Sequence, residues 1–550
     1  MARWVVAGAG FLGLALAPRA RLRAADELSG ADKLRALYSA EFRFTDEGVP
    51  IVPVAIAQDV AEVTVVGEGG LRILPEGDDG PEIDAGEPFR ITAGKTTAAR
   101  VRFWPVAFRG KPAAGLEATR RLEAWKARGF EARLFEQGAL FGVAGEVLDR
   151  REVVVGVAPA ATLEAAEKNL ERLRAVEPGA PSGVYLEMQE RPHGQLVAVG
   201  LKSGTRLRNE GVVWFAPVGD RPLRVEGHKT GGAAFSGSYH GRLYFTIGRR
   251  GDLVVVNAVP ENRLLAGLVP AEIFPAAPDE ALKAQAVAAR GELLAKIGVR
   301  HTGEPFRLCA ETHCQVYPGA ARETPRTTAA VEATRGEVLF TAGGKELVDT
   351  VYSANCGGHG EHNENAWADM PPEATLRGHF DGPAPPARGT PNPFAGGVTS
   401  ATVAQFLESP PPSYCGAAKL QGGSDRFRWT VSRSAAELDR LLVDLHLGRV
   451  RAIDVLDRGV SGRARGLTIT GSLRSETIRG ELKIRRLFGG LRSSLFVVEV
   501  KDGAATFRGG GFGHGVGLCQ TGSVGMAEAG KSYRAILQHY YLGSTLRKLW

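Results

Sequence analysis

Long apolar runs, cysteines and blocks of like charge are scarce in this 550-residue sequence, and each scarcity excludes something. Beyond the N-terminal region no stretch approaches the ~18 apolar residues of a membrane-spanning helix. No run of Lys or Arg occurs, and 68 basic against 61 acidic side chains leave only +7, far too dilute for a nucleic-acid binder. The five cysteines are an odd number, so they cannot all pair as disulfides within one chain, and at least one is left for a thiol or a metal. No cysteine near the start offers a lipid attachment site. The 71 glycines and 31 prolines follow no strict period, which excludes a collagen-like chain and favours strands and loops. Repeats of solenoid length are also missing.

What is present is enough apolar material, 44% of residues, for more than one core, and the length predicts roughly three or four units. Arg3, the apolar residues 4–17, and Arg21, Arg23 and Ala25 behind them read as a Sec-type signal peptide over residues 1–25. The alternative is an uncleaved or interfacial anchor. Either reading sends the protein out of the cytoplasm, to the periplasm, the cell envelope or the medium.

Residues 26–110 alternate apolar and polar positions and read as an accessory β region. Residues 111–176 switch period: a helix over 116–128 on Leu122 and Trp125, strands at 130–135, 140–147 and 153–157, and a helix over 162–174. This order, with its closing GVAPAATLEAAEKNLERL, resembles a SPOR domain, a module that in its family binds glycan strands stripped of peptide. Residues 177–222 read as a β linker. A strong helix is expected over 279–297 and a second over 434–447. Seven prolines in 370–394, followed by Pro410, Pro411 and Pro412, mark an exposed insertion at about 370–415.

Four segments carry candidate chemistry. The helix APDEALKAQAVAAR places Leu282, Ala286 and Ala289 on one stripe and Glu280 on the opposite side with Ala284 and Val287. An acid in a first turn ordinarily complements the helix dipole, which lowers its pKa. A general acid needs apolar burial instead, so a catalytic Glu280 requires a partly desolvated cleft. Next, His301, Cys309, His313 and Cys314 mix imidazole and thiol ligands within fourteen residues, the donor set of a closed, structural zinc. A Cys309–Cys314 disulfide beside surface histidines is the alternative. The third segment, YSANCGGHGEHNENAW over 352–367, reads as a functional loop, or as a plain turn; Cys356 with His359 could be a nucleophile pair or a second metal site. The fourth, GGGFGHGVGLCQTGSVGMAEAG over 509–530, sets His514 among glycines shortly before Gln520, in a functional or merely flexible loop.

These four segments, with VVVNAVPENRLLAGLVPAEI, LCAETHCQVYPG and TRGEVLF in the same order, resemble the SpoIID/LytB family over roughly 225–550. The resemblance implies a mixed α+β protein: a strand-rich catalytic domain over 223–550, with a long helix bordering a glycan groove. It implies a lytic transglycosylase of cell-wall peptidoglycan, acting on peptide-stripped strands. In that reaction one carboxyl protonates the MurNAc–GlcNAc oxygen, then deprotonates the muramyl C6 hydroxyl as a 1,6-anhydro ring closes. By the resemblance Glu280 matches the catalytic glutamate, and Gln285, Arg290, Tyr352, Ser353, His514 and Gln520 line the substrate groove. His301, Cys309, His313 and Cys314 match a structural zinc, and the chemistry itself needs no cofactor. Cys519 reads as a packed thiol and Cys415 falls in the insertion. Two departures stand out: Gly291 and Glu292 replace the usual Thr-Tyr, and Thr521 replaces an aromatic. A non-catalytic glycan-binding enhancer or scaffold for a cell-wall amidase is the competing expectation, and a zinc hydrolase is a third.

Overall fold

The computed structural model describes residues 37–38 and 42–550 apart from 76, 78, 79, 144, 178–182, 312, 345, 369, 384–391 and 421–425. The expected signal peptide over 1–25 lies outside the described residues. The protein is strand-rich, mixed α+β, and its largest element is a 13-stranded sheet.

That sheet is organised by the strand Pro50–Gly67, whose alternating valines bury one face. It pairs antiparallel with Leu253–Pro260, Leu223–Lys229 and Phe89–Thr97, and parallel with Leu308–Cys309. Residues 50–97 are therefore part of the same sheet as the 223–260 strands. The expected separate accessory region over 26–110 is corrected on this point, because each segment alone would leave its apolar face in water. Val52, Val54, Val63 and Val65 share one core with Phe215, Phe245 and Val255.

A smaller unit leaves this sheet after Phe89–Thr97 and returns at His193–Gly200, two strands that pair with each other. It runs Arg100–Gly110, helix Gly115–Ala127, Ala132–Gln137, Glu152–Val157, helix Leu163–Val176 and Val184–Glu190, a βαββαβ order interrupted by a separate hairpin, Leu140–Val143 with Glu146–Asp149. Its four strands lie in the order fourth, first, third, second, all antiparallel. The unit is wider than residues 111–176, since its helices need the outer strands on either side to cover Ala118, Trp125 and Leu173.

The Asp279–Lys296 helix is apolar on both flanks and buried along nearly its whole length. Leu282, Ala286, Ala289 and Leu293 face the main core, while Ala284, Val287 and Ala288 enter a second core with Leu518, Met526 and Tyr540. The expectation of one buried stripe thus gives way to two, as befits a helix that is hydrophobic all round. The expected exposure of 370–415 is also corrected: Phe394, Val398, Val403 and Phe406 pack with Leu495, and Leu376 and Cys415 sit in the second core. Proline interrupts regular hydrogen bonding but does not prevent burial. The helix expected over 434–447 is shorter, Ala435–Leu441, opened by a Ser434/Glu437 capping box and followed by a 3-10 turn, Val443–Leu445.

Candidate functional site

Within the apolar Asp279–Lys296 helix, three buried polar side chains repeat at near-helical spacing: Gln285, Glu292 and Lys296. Lys296 Nζ donates to the Glu292 carboxylate and, at 2.5 Å, to the Cys314 carbonyl. The short strand Tyr352–Ser353 pairs in parallel with Leu518–Cys519, which draws the 352–367 and 509–520 loops together over this stripe. Gln520 opens the Gln520–Glu528 helix, and its Nε2 donates to Gln285 Oε1 at 3.3 Å. Gln285 Nε2 and Ser353 Oγ are buried without a hydrogen-bond partner among the described residues, so the site holds polar atoms ready for a ligand or water.

Glu272, the last residue of the Glu261–Glu272 helix, completes the group, and sequence reading missed it. Its carboxylate accepts the Val316 amide at 3.1 Å, and the Tyr352 hydroxyl lies close enough to act on both Glu272 and Glu292. Burial pushes the Glu272 carboxyl above its ordinary value, outweighing the Val316 amide, the Lys296 charge and the Tyr352 hydroxyl. The side chain is nonetheless only half-buried, so solvent and ligand can reach it. Glu292 is more enclosed, and burial lifts it to about 7. His514 Nδ1 accepts the Val516 amide at 3.1 Å and its ring lies 4.7 Å from Trp367. Burial, helped by Arg463, lowers its pKa to about 3, so the imidazole is neutral.

Two expected site residues stand elsewhere. Five residues at ~100° each put Glu280 roughly 140° round the helix from Gln285, away from the polar stripe. It pairs with Lys283 Nζ at 2.7 Å, accepts the Tyr533 amide at 2.7 Å, and its side chain is 34% exposed. Burial would raise its pKa, but the Lys283 and Tyr533 bonds prevail and hold it below the usual value. The desolvated cleft that a general acid requires is not above Glu280. Arg290 is fully buried: its Nε donates to Glu261 Oε1 at 2.7 Å and its Nη1 to the carbonyls of Thr334 and Glu337 at 2.7 and 3.1 Å. A guanidinium so enclosed ties the Glu261–Glu272 and Asp279–Lys296 helices together.

His301, Cys309, His313 and Cys314 converge, one donor atom each within 4.8 Å of the others. His301 Nε2 to Cys314 Sγ is 3.2 Å, and His313 Nδ1 lies 3.7 Å from both sulfurs. Zinc–sulfur and zinc–nitrogen bonds of about 2.3 and 2.05 Å in a tetrahedron separate such atoms by about 3.5 Å, so the four side chains fit one ion. The Lys296 bond to the Cys314 carbonyl sets this group directly beside the polar stripe. The Cys356–His359 pairing is not formed: the Cys356 sulfur contacts Asp381 and Cys415, while His359 Nδ1 bonds the Gly360 carbonyl.

Comparison with known proteins places these elements. Residues 249–340 match the family model for stage II sporulation protein (SpoIID), and residues 365–517 match a domain of unknown function, DUF8618. An uncharacterized protein of Brachyspira hyodysenteriae is 30% identical over 308 residues, 56% of this chain and 71% of the relative. The amidase enhancer of Bacillus subtilis is 27% identical over 308 residues, 51% of this chain but only 40% of that protein. Stage II sporulation protein D of Bacillus amyloliquefaciens is 26% identical over 303 residues, 52% of this chain and 74% of the relative. The chain belongs to the SpoIID/LytB family.

Proposed function

We propose that the protein cleaves peptidoglycan glycan strands in the cell envelope as a lytic transglycosylase, with Glu272 and not Glu280 as its acid/base. The observation that carries this reading is the contrast between the two carboxyls. Glu272 is raised by burial yet open to solvent at the polar stripe, whereas Glu280 is lowered by an ion pair on the far side of the helix. A protonated Glu272 donates to the glycosidic oxygen, and the resulting carboxylate takes the C6 hydroxyl proton as the anhydro ring closes. One group with a raised pKa suffices for both transfers. Tyr352 holds the carboxyl, the neutral His514 offers hydrogen bonds without charge, and Gln285, Ser353 and Gln520 orient the sugar. His301, Cys309, His313 and Cys314 would hold a zinc ion through four protein ligands, which would leave no open position for a water and brace the wall of the groove. Among the described residues no helix is long and apolar enough to cross a membrane.

The match to a protein named amidase enhancer favours a second reading, a glycan binder that stimulates an amidase. Peptide-free strands incubated with the protein and analysed by mass spectrometry decide between them. The proposal expects ends in 1,6-anhydro-MurNAc, lost by about 10²–10⁴-fold in Glu272→Gln with binding retained, and kept in Glu280→Gln. Strands that bind but stay intact identify the enhancer. Cleavage that depends on Glu280 alone refutes the assignment of Glu272.

A further inference from the structure

We propose a second metal centre, a closed zinc site formed by Cys356, Asp381, Cys415 and Cys519. The four residues come from distant parts of the chain. Cys356 lies in the loop after the Tyr352–Ser353 strand, Asp381 and Cys415 in the segment matched by DUF8618, and Cys519 at the cap of the Gln520–Glu528 helix. Each is at most 2% exposed, and one donor atom from each lies within 4.8 Å of the others.

The spacing is that of ligands around an ion. Cys356 Sγ is 3.6 Å from Cys415 Sγ and 3.3 Å from Asp381 Oδ2. Zinc–sulfur bonds of about 2.3 Å and a zinc–oxygen bond of about 2.1 Å in a tetrahedron give separations of about 3.8 and 3.6 Å. A disulfide would bring two sulfurs to about 2.05 Å, well short of the 3.6 Å between Cys356 and Cys415, and leave the third cysteine unpaired.

The surroundings also suit thiolates. The Cys519 sulfur accepts two backbone amides, Cys356 N–H at 3.1 Å and Gly522 N–H at 3.2 Å. Asp381 Oδ1 accepts the Tyr540 hydroxyl at 2.8 Å and lies 3.4 Å from His539 Nε2, which turns Oδ2 toward the sulfurs. Such outer bonds orient metal ligands. Three thiolates and a carboxylate carry four negative charges, of which zinc offsets two. Two guanidiniums stand ready for the remainder: Arg463 Nη2 donates to the Cys356 carbonyl at 3.1 Å and Arg428 Nη1 to the Gly357 carbonyl at 3.1 Å. Soft thiolates with one carboxylate and no open position indicate a structural zinc. The ion would tie the DUF8618 segment to the loops that carry Ser353 and Gln520.

The test is the metal content of the full-length protein, purified with zinc and without chelator, with the intact mass and alkylatable thiols measured alongside. Two zinc ions per chain are expected, falling to one in Cys415→Ser and, independently, to one in His313→Ala. Cobalt substituted into the unmutated protein should show the thiolate charge-transfer bands of two tetrahedral sites, a readout that holds even where Cys415→Ser fails to fold. One zinc per chain in the unmutated protein, a second zinc that survives Cys415→Ser, or an intact mass two hydrogens short from a Cys356–Cys415 disulfide would overturn the proposal.

Discussion

Replacing Arg290 by Met separates a structural guanidinium from a substrate-binding one. Arg290 and Glu261 are both essentially unexposed, joined at 2.7 Å, and Arg290 also satisfies two backbone carbonyls. Removing one member of a buried pair leaves the other charge stranded, at a cost of about 3–5 kcal/mol. At 1.36 kcal/mol per factor of ten this shifts the folding equilibrium by about 10²–10⁴-fold. Urea unfolding followed by tryptophan fluorescence should show the loss. The sign with pH is also set. Burial already holds the Glu261 pKa above its unfolded value, so the penalty of an ionised Glu261 is full above the folded pKa and absent below the unfolded one. The deficit of Arg290→Met should therefore shrink as the pH falls toward the ordinary carboxylate range. The double variant Glu261→Leu/Arg290→Met should recover most of the loss, short of about 1 kcal/mol for each carbonyl left unsatisfied. An unchanged urea midpoint together with weakened glycan binding would refute the structural role and return Arg290 to the substrate groove.

Tyr352→Phe removes a hydroxyl that holds the Glu272 carboxyl down, so that pKa should rise further. A general acid stays protonated below its pKa, and the alkaline limb of the cleavage profile should move to higher pH; a limb that stays in place or moves down contradicts the role of Glu272. His514, lowered to about 3, should show imidazole resonances that stay flat between about pH 5 and 8, whereas a midpoint near the unperturbed value would mean the ring is solvated. Gly291→Ala would set a Cβ 2.3 Å from Thr350 Oγ1, itself bonded to the Ala288 carbonyl at 2.6 Å. The clash should cost about 1–3 kcal/mol in urea unfolding and be largely relieved by Thr350→Ala.

The parts that could be read from the sequence are those whose physics is local. The 279–296 helix follows from a Pro278 start, acids in its first turn and a long run of helix-forming residues. The zinc-type group is legible because His301, Cys309, His313 and Cys314 lie within fourteen residues and need only one turn of loop to meet. The glycine loops around 356 and 514 announce close backbone approach, and Tyr352, Ser353, Gln285 and Gln520 do assemble at one place.

Which carboxyl is desolvated could not be read this way, because burial is a property of what packs above a side chain. Glu272 and Glu280 are both acids at a helix end, eight residues apart, and burial raises the first despite Val316, Lys296 and Tyr352, while Lys283 and Tyr533 prevail over burial and lower the second. The same holds for Arg290, whose partners are 29 to 47 residues away, and for Cys356, Asp381, Cys415 and Cys519, gathered across 163 residues of chain. Sequence alone determined the elements, the family and the local ligand group, since these depend on neighbours in the chain. Tertiary structure decided which polar groups are desolvated, paired or brought together, since the cost of a buried charge depends on its neighbours in space.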